Sequence, residues 1–344
     1  MEHEFQIAAR KIGDEYPPFI MAEVGINHEG DFDKAIQMVD AAAAAGVDCV
    51  KFQCHITEAE MIPTDIIPRG ISDERQWDII KRCELSEEQE RRVLAHCEKK
   101  GLLYLCTPFS REAADRLEGM GIPAYKIGSG ECNNIPLLEH IARFGKPMIL
   151  STGMNDMASI RKSVEVIRSY NVPLMLMHCT SMYPTPYEYV RLGAINELRE
   201  AFRLPVGLSD HSLGIYTCLG AAALGACALE KHFTLSRQWP GPDVPLSIEP
   251  DELSALVSGA KAIHAARGGS KGILPQEQPV IDFAYASVVT IRHIEKGGEF
   301  KPDNLWVKRP GGGIPADKLY EILGKRAGRR VEANVKLSIE DIAG

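Results

Sequence analysis

The stretch PVGLSDHSLGIYTCLGAAALGACALEKHFT, residues 205–234, contains two short β-rich runs separated by a longer segment. The runs are PVGLSD (205–210) and ALEKHFT (228–234), and each has a histidine near its end. Short apolar runs bounded by turn residues are typical of buried strands. The same alternation of short runs and longer segments recurs along most of the chain, so it determines the fold that we predict.

Eight runs of this kind are predicted to be strands. They are FIMAEVG (19–25), VDCVKFQ (47–53), LLYLCTP (102–108), PAYKIGS (123–129), PMILSTG (147–153), PLMLMHCT (173–180), PVGLSD (205–210) and ALEKHFT (228–234). Helical patterns lie between them. AIQMVDAAAAAG (35–46) ends at a glycine, and SEEQERRVLAHCEKKG (86–101) has a serine N-cap, an acidic first turn and a Lys-Lys-Gly end.

Eight strands that alternate with helices predict an α/β fold, a (β/α)8 TIM barrel. An open doubly wound sheet is the alternative, but the sequence has no G-x-G-x-x-G turn after the first strand. We expect the barrel to occupy residues 1–266, since a helical pattern at 250–266 is followed by a segment containing Pro and Gly. That segment, 267–284, is predicted to be a linker, and residues 285–344 are predicted to form a small β-rich domain.

Composition excludes several classes of partner. The net charge of −8 and the isoelectric point near 5.8 argue against a nucleic-acid-binding protein. The first twenty residues contain no apolar signal-peptide core, and the longest weakly polar run, CLGAAALGACAL (218–229), is too short to span a membrane. The nine cysteines form no C-x-x-C pair, which favours reduced thiols. We therefore expect a cytoplasmic protein without a membrane or nucleic-acid partner.

Polar residues collect at the C-terminal ends of the predicted strands, which is where the active sites of TIM barrels lie. In chain order they are Glu23, Asn27, His28, Lys51, Gln53, Thr107, Lys126, Ser129, Glu131, Ser151, Thr152, His178, Ser181, Tyr183, Ser209, Asp210, His211, Glu230, Lys231 and His232. Any one of them alone is more simply explained as a helix cap, a solvated charge or a hydrogen-bonded core residue. Lys51 and Lys126, however, lie within strand-like runs, where an unpaired charge is costly. Together with the hydroxyls they predict a binding site for a phosphorylated anion.

The histidines at the ends of the last two strands suggest a metal site. Two neutral imidazoles, from His211 and His232, could share one divalent cation and leave its other positions open, as catalysis requires. Neither histidine motif contains a cysteine, so Mn²⁺ or Mg²⁺ is favoured over a soft metal. Two unrelated structural histidines are the alternative.

Ten motifs of the chain resemble the bacterial sialic acid synthases. Those of the barrel region are AEVGINHEGDFDKA (22–35), VKFQ (50–53), CTPF (106–109), KIGSGE (126–131), STGM (151–154), YPTP (183–186), GLSDHS (207–212) and EKHFT (230–234). The tail motifs FAYASVV (283–289) and NLWVKRPGGG (304–313) resemble the small C-terminal domain of that family, which is similar to type III antifreeze proteins. The resemblance extends over essentially the whole chain.

The resemblance implies an N-acetylneuraminate synthase that condenses phosphoenolpyruvate with N-acetylmannosamine, an N-acetylhexosamine, to a nine-carbon 2-keto acid and phosphate. Synthases of legionaminic or pseudaminic acid share most of these motifs, so a diacetamido hexose is the alternative substrate. The family fold is a TIM barrel followed by the small antifreeze-like domain, in a domain-swapped homodimer.

The resemblance also implies roles for individual residues. Phosphoenolpyruvate would be bound by Lys51, Thr107, Lys126, Ser129, Ser151, Ser181 and Ser209. The sugar would be contacted by Glu23, Gln53, Tyr183, Asp243, Phe283 and Arg309, with Arg309 coming from the second subunit of the dimer. His211 and His232 would bind Mn²⁺, and Glu131 would take a proton from the attacking water.

Two other interpretations stay open. A Schiff-base aldolase would use Lys126 or Lys51 as its nucleophile, and the histidine pair would then have no role. A protein that binds ice or a surface glycan would rest on the small domain alone. The many Lys and Arg residues of that domain disfavour an ice-binding face, which should be flat and weakly charged.

Overall fold

The structure is a computed structural model that describes residues 5–70 and 72–344. The chain divides into two compact units, the first extending through Gly268 and the second beginning at Gly269. All nine cysteines lie in the described part, and each is a free, buried thiol. Among the described residues, no helix has the length and apolar character needed to cross a membrane.

The first unit contains ten strands and eleven α-helices among its described residues. The strands are β1 (Phe5–Ile7), β2 (Arg10–Ile12), β3 (Phe19–Gly25), β4 (Cys49–Cys54), β5 (Leu103–Pro108), β6 (Tyr125–Ile127), β7 (Met148–Ser151), β8 (Leu174–Cys179), β9 (Val206–Asp210) and β10 (Ala228–His232). The helices are α1 (Phe32–Ala45), α2 (Thr57–Glu60), α3 (Gln76–Cys83), α4 (Glu87–Lys99), α5 (Arg111–Met120), α6 (Ile135–Ala142), α7 (Met157–Ser169), α8 (Tyr187–Val190), α9 (Ala194–Phe202), α10 (Tyr216–Ala223) and α11 (Pro250–Ala266).

Strands β3 to β10 form one parallel sheet in the order β5-β4-β3-β10-β9-β8-β7-β6. The end strands β5 and β6 contact each other, so the sheet is a nearly closed barrel. All eight predicted strands are present, and the predicted TIM barrel is confirmed. Because all eight strands run in the same direction, their carboxyl ends meet at one face, where the predicted polar residues lie.

Two helices that surround the barrel show the end signals that the sequence indicates, although α1 begins at Phe32, three residues before the predicted pattern. The N-cap Ser86 of α4 forms a capping box with Gln89, and α1 ends at Gly46, whose φ of 79° is the left-handed conformation that glycine favours. α11 has the predicted bounds. Apolar faces of these helices pack on the outer side of the sheet in one large buried core.

The N-terminal hairpin of β1 and β2 closes the opposite end of the barrel and was not predicted. Its side chains Phe5, Ile7 and Ile12 are buried in a second core, together with interior barrel residues such as Met21 and Ile149. Strands of three residues are too short to show a period in the sequence. The hairpin leaves the carboxyl end of the barrel as its accessible face.

The second unit is small and has its own core. It contains α12 (Gln278–Ala284), β11 (Ser287–Thr290), β12 (Leu305–Lys308) and α13 (Leu319–Ile322), and β11 pairs with β12 in antiparallel fashion. The runs SVVTI and NLWVK therefore form strands as predicted. The predicted linker, 267–284, contains the whole of α12, so part of that segment is helical.

Candidate active site

A cavity of about 280 Å³ lies at the carboxyl end of the barrel. Twelve of the sixteen predicted site residues line it: Glu23, Lys51, Gln53, Thr107, Lys126, Ser129, Ser151, Ser181, Tyr183, Ser209, His211 and His232. These residues come from the eight barrel strands or from the turns that follow them. The fold therefore brings together residues that are widely separated in the sequence.

The two lysines of the cavity are buried and paired. The Lys51 ammonium lies 2.7 Å from Glu23 Oε2 and donates to Thr107 Oγ1 at 3.3 Å, while Lys126 Nζ donates to Ser151 Oγ at 2.7 Å. Burial lowers the pKa of Lys126, although the neighbouring carboxylate of Glu230 opposes this effect. The two cationic groups thus lie side by side on one wall of the cavity, each next to a hydroxyl.

Glu230 links the two lysines and was given no role in the sequence analysis. Its Oε1 lies 3.8 Å from Lys51 Nζ, its Oε2 lies 3.4 Å from Lys126 Nζ, and it accepts a hydrogen bond from Ser209. Burial acts to raise the pKa of Glu230, but Lys126 and Lys51 together lower it. This carboxylate balances the charge of the lysines when no anion is bound.

Strand alternation explains which strand-end residues face the cavity. Glu230 and His232 point inward from β10, while Lys231 between them points outward. Lys231 pairs in register with Asp210 of β9, and its Nζ lies 2.6 Å from Asp210 Oδ2. The period-two alternation of strand side chains could have shown from the sequence alone that Glu230 and His232 face the cavity and that Lys231 does not. The Lys231–Asp210 pair is a buried structural contact that supports the loop carrying His211.

Ser129 and Ser181 crowd around Gly153 in the turn after β7. The Gly153 N–H donates to Ser129 Oγ at 3.1 Å. A Cβ atom at position 153 would lie 2.5 Å from Ser181 Oγ, 2.8 Å from Ser129 Oγ and 3.1 Å from Cys179 Sγ. Only glycine fits at position 153 with the two hydroxyls in their present places. The glycine of the STGM motif therefore allows both serines to pack against one backbone amide.

His211 and His232 lie on neighbouring strand ends with their ring centroids 5.3 Å apart. The Thr180 carbonyl accepts from His211 Nδ1 at 2.9 Å, which leaves Nε2 as the free nitrogen of that ring in its neutral form. His232 Nδ1 is buried and has no hydrogen-bond partner among the described residues. A carbonyl behind one imidazole and an unpartnered nitrogen on the other suit a divalent cation.

The electrostatics of the two histidines differ. Burial lowers the pKa of His232 well below its usual range, so this ring is neutral. Burial also acts to lower the pKa of His211, but Cys179, the Thr180 carbonyl and Asp243 together outweigh it and raise that pKa to about 9. A cation would therefore compete with a proton for His211. Within residues 5–70 and 72–344, no three His, Cys, Asp or Glu side chains form a metal-binding cluster, so two imidazoles are the ligands this site offers.

Tyr183 and Asp243 complete the histidine side of the cavity. The Tyr183 ring lies 4.3 Å from that of His211, centroid to centroid, and Asp243 Oδ2 lies 3.8 Å from His232 Nδ1. Burial raises the pKa of Asp243 to about 6. Although Asp243 does not line the cavity itself, it is directly behind one of its walls.

Glu131 is placed less favourably than predicted. It ends the 3-10 turn Ser129–Glu131, and its Oε2 accepts from Asn134 Nδ2 at 2.5 Å. Burial raises the pKa of Glu131, and the hydrogen bond from Asn134 acts in the opposite direction. The neighbouring Gly130 lines the cavity, but Glu131 does not, so a base at this position would need its side chain to turn.

Phe283 and Arg309 belong to the second unit, and both side chains are exposed. Within that unit their segments are neighbours, because the Gly311 N–H donates to the Asp282 carbonyl at 3.0 Å. The fold thus places these two predicted sugar contacts at one end of the second unit. Their contact with a sugar remains a prediction.

Three of the remaining strand-end candidates make structural contacts. Asn27 Nδ2 donates to the Phe233 carbonyl and to Ser247 Oγ, His178 Nε2 lies 2.6 Å from the Val190 carbonyl, and Thr152 Oγ1 donates to the Met177 carbonyl. These side chains hold loops and helices against the barrel, which is the simpler explanation that the sequence analysis gave for single strand-end residues.

Fold and site together define a TIM-barrel protein whose cavity contains two buried lysines, the carboxylates that pair with them, and a pair of histidines. Comparison with known families identifies it further. The NeuB family matches residues 38–272, and the SAF domain matches residues 285–343. The chain therefore belongs to the NeuB family, and its small second domain is the antifreeze-like SAF domain.

The relatives include proteins with assigned reactions. The chain is 39% identical to the N,N'-diacetyllegionaminic acid synthase of Campylobacter jejuni over 318 residues, which is 90% of this chain and 95% of the relative. An uncharacterized protein of Methanocaldococcus jannaschii is 40% identical over 97% of this chain and 98% of its own length. The crystal structure of the N-acetylneuraminic acid (sialic acid) synthetase of Leptospira borgpetersenii superposes with a TM-score of 0.73 at 34% identity, covering 82% of this chain and 97% of that one.

Proposed function

We propose that the protein condenses phosphoenolpyruvate with the open-chain form of N-acetylmannosamine and water, giving N-acetylneuraminate and phosphate. The observation that carries this proposal is the pair of buried lysines, Lys51 and Lys126, at the carboxyl end of the barrel. Two ammonium groups in a pocket lined by hydroxyls suit a small polyanion, and the chain belongs to a family of sialic-acid-type synthases.

The anion would be held by charge and by oriented hydroxyls. Phosphoenolpyruvate carries a phosphate and a carboxylate, and an acidic protein must concentrate positive charge locally to hold it. Lys51 and Lys126 would supply that charge, and Glu23 and Glu230 lie beside them as counter-charges. The remaining hydrogen-bond donors would be the hydroxyls of Thr107, Ser129, Ser151, Ser181 and Ser209.

The histidine side would receive the sugar. A divalent cation, Mn²⁺ or Mg²⁺, held by His211 and His232 would polarise the aldehyde carbonyl of the open-chain sugar. Glu23, Gln53 and Tyr183 line the same part of the cavity and would contact the sugar hydroxyls. The parts that Phe283 and Arg309 take in binding the sugar rest on the family resemblance alone.

The bonds change in three steps. The enol carbon of phosphoenolpyruvate attacks the aldehyde carbon of the sugar, the aldehyde oxygen takes up a proton from water to become a hydroxyl, and cationic character is left at carbon 2. Water adds to carbon 2 while Glu131, with its side chain turned toward the cavity, accepts a proton from it as general base. The adduct then expels phosphate by breaking its carbon–oxygen bond, and the 2-keto group forms. Lysines beside the phosphate stabilise the charge of this leaving group.

A diacetamido hexose is the second candidate substrate. The observation that favours it is the 39% identity to the diacetyllegionaminic acid synthase of Campylobacter jejuni. The chemistry would be the same, because only the substituents of the sugar differ. The residues that face the sugar therefore decide between the two substrates.

Phosphate release across a panel of sugars tests the proposal. The protein is incubated with phosphoenolpyruvate and Mn²⁺, with and without a chelator, and with N-acetylmannosamine, its 6-phosphate or the diacetamido hexoses. Release that depends on one sugar and stops in chelator is the expected result. Absence of release with every sugar, combined with borohydride trapping of a keto acid on Lys126 or Lys51, would favour the aldolase instead.

A further inference from the structure

A chain of four polar side chains runs from the cavity wall into the protein. Gln53 Nε2 donates to Glu23 Oε1 at 3.1 Å, Gln53 Oε1 lies 3.0 Å from His55 Nε2, and His55 Nδ1 lies 2.8 Å from Glu60 Oε2. Glu23 and Gln53 line the cavity, whereas His55 and Glu60 lie behind them. The side chains of His55 and Glu60 are only 3% and 6% exposed, so the contacts are shielded from water.

With the carboxyl groups of Glu23 and Glu60 ionised, hydrogen-bond chemistry gives this chain one direction. The Gln53 oxygen only accepts, so His55 Nε2 must carry a hydrogen and donate it. At the other end, the carboxylate of Glu60 accepts from His55 Nδ1, so the ring donates through both nitrogens, as the imidazolium does when it is paired with a carboxylate. If the Gln53 amide turned by 180°, its oxygen would face the Glu23 carboxylate and its NH₂ group would face the His55 N–H. Both contacts would then be repulsive, so His55 and Glu23 together hold the amide in one orientation.

His55 is itself held in place from two sides. Its ring stacks on that of Phe109 with centroids 4.5 Å apart and planes 15° apart, and Phe109 lines the cavity. Glu60 is the last residue of α2, a short helix inserted after β4, and Thr57 at the start of α2 is bound through its backbone N–H and hydroxyl by Glu84. The short helix α2 therefore places the Glu60 carboxylate behind His55.

We propose that His55 is a positioning residue for the sugar, which acts by orienting the Gln53 amide. The inference deepens the proposed synthase function and rests on it. Only one of the two Gln53 amide hydrogens is used by Glu23, so the other is left for an acceptor. The acceptors on an N-acetylated sugar are its hydroxyl and acetamido oxygens. A fixed amide donor recognises such an oxygen, whereas a freely turning amide would present its own oxygen half of the time.

Two amide substitutions that differ by one methylene test this role. The amide nitrogen of His55→Gln reaches the place of the ring Nε2 and can still donate to Gln53. That of His55→Asn reaches only the place of Nδ1 and Glu60. Initial rates of phosphate release are measured with the sugar varied at saturating phosphoenolpyruvate. They are then measured with phosphoenolpyruvate varied at saturating sugar. We expect His55→Asn to raise KM for the sugar roughly tenfold, the worth of one hydrogen bond. KM for phosphoenolpyruvate should stay within about twofold, and His55→Gln should recover most of the sugar affinity.

A double-mutant cycle separates positioning from general damage. If His55 acts only through Gln53, then adding His55→Asn to Gln53→Ala should raise KM for the sugar no further. His55→Phe, which keeps the stack on Phe109, replaces His55→Asn if that variant does not fold. Three results would overturn the assignment: an equal rise in KM for both substrates, effects of His55→Asn and Gln53→Ala on KM for the sugar that are fully additive, or an unchanged KM for the sugar. A wild-type protein without sugar-dependent release would overturn the synthase function and this inference together, so the two failures are distinguishable.

Discussion

The turn after β7 offers a substitution whose effect can be worked out from distances. In Gly153→Ala the new Cβ would lie 2.5 Å from Ser181 Oγ and 2.8 Å from Ser129 Oγ, closer than van der Waals contact permits. Both atoms end short side chains that can rotate to another rotamer, so the hydroxyls move and the fold survives. The expected defect is therefore one of substrate binding, with at most a modest loss of stability.

The size of the defect follows from the hydroxyls that move. A hydrogen bond to a charged group is worth about 1.5–3 kcal/mol. Loss of one such bond to phosphoenolpyruvate corresponds to an increase in KM of about 10- to 150-fold, since 1.4 kcal/mol is a factor of ten. Overpacking at the turn would lower the free energy of unfolding by about 1–3 kcal/mol. Affinity for phosphoenolpyruvate should thus fall strongly in a protein that is still folded.

Steady-state rates of phosphate release at varied phosphoenolpyruvate and saturating sugar measure the change. Gly130→Ala is the matched control, because Gly130 lines the same cavity and its added Cβ would meet no atom of the described residues within 4 Å. KM for phosphoenolpyruvate should rise in Gly153→Ala and change less than threefold in the control. If the two variants behave alike, the hydroxyls of Ser129 and Ser181 do not bind the anion.

Three further predictions concern the metal, the second unit and the stability of the barrel. His232→Ala should remove Mn²⁺-dependent turnover and also Mn²⁺ binding in calorimetry; unchanged Mn²⁺ affinity would refute the assignment of the histidine pair. Arg309→Ala should raise KM for the sugar about tenfold or more and spare that for phosphoenolpyruvate, since loss of a charged hydrogen bond is worth at least that factor. An equal rise in KM for both substrates would show that Arg309 is only structural. Lys231→Met leaves the Asp210 carboxylate buried without its cation, so urea unfolding should show a loss of about 3–5 kcal/mol. A loss under about 1 kcal/mol would mean that water or another group compensates the charge.

The barrel could be predicted because its signals are local. Each strand is a short apolar run, and helices such as α4 carry their own caps, so eight units could be counted without any knowledge of contacts. The hairpin of β1 and β2 has no such signal, because its three-residue strands gain their place only by packing into the end of the barrel. Short elements stabilised by tertiary contacts are the ones that the sequence conceals.

The site could be predicted as a set of residues, but only partly as a set of contacts. Position at the end of a parallel strand is enough to assign Lys51, Lys126 and both histidines to one face of the barrel. The link that Glu230 makes between the lysines depends on three strands meeting in the barrel, which no spacing along the chain reveals. The motif that contains Glu131 does not indicate that Asn134 holds the Glu131 carboxyl away from the cavity wall.

The central claim is that this cavity joins phosphoenolpyruvate to a sugar and releases phosphate by breaking the carbon–oxygen bond. Phosphoenolpyruvate labelled with ¹⁸O at its bridging oxygen, incubated with the sugar that supports turnover, tests both parts in one mass-spectrometric measurement. The account predicts one ¹⁸O atom in every released phosphate and an unlabelled nine-carbon 2-keto acid. Label in the keto acid, or labelled phosphate formed without a condensed product, would contradict it.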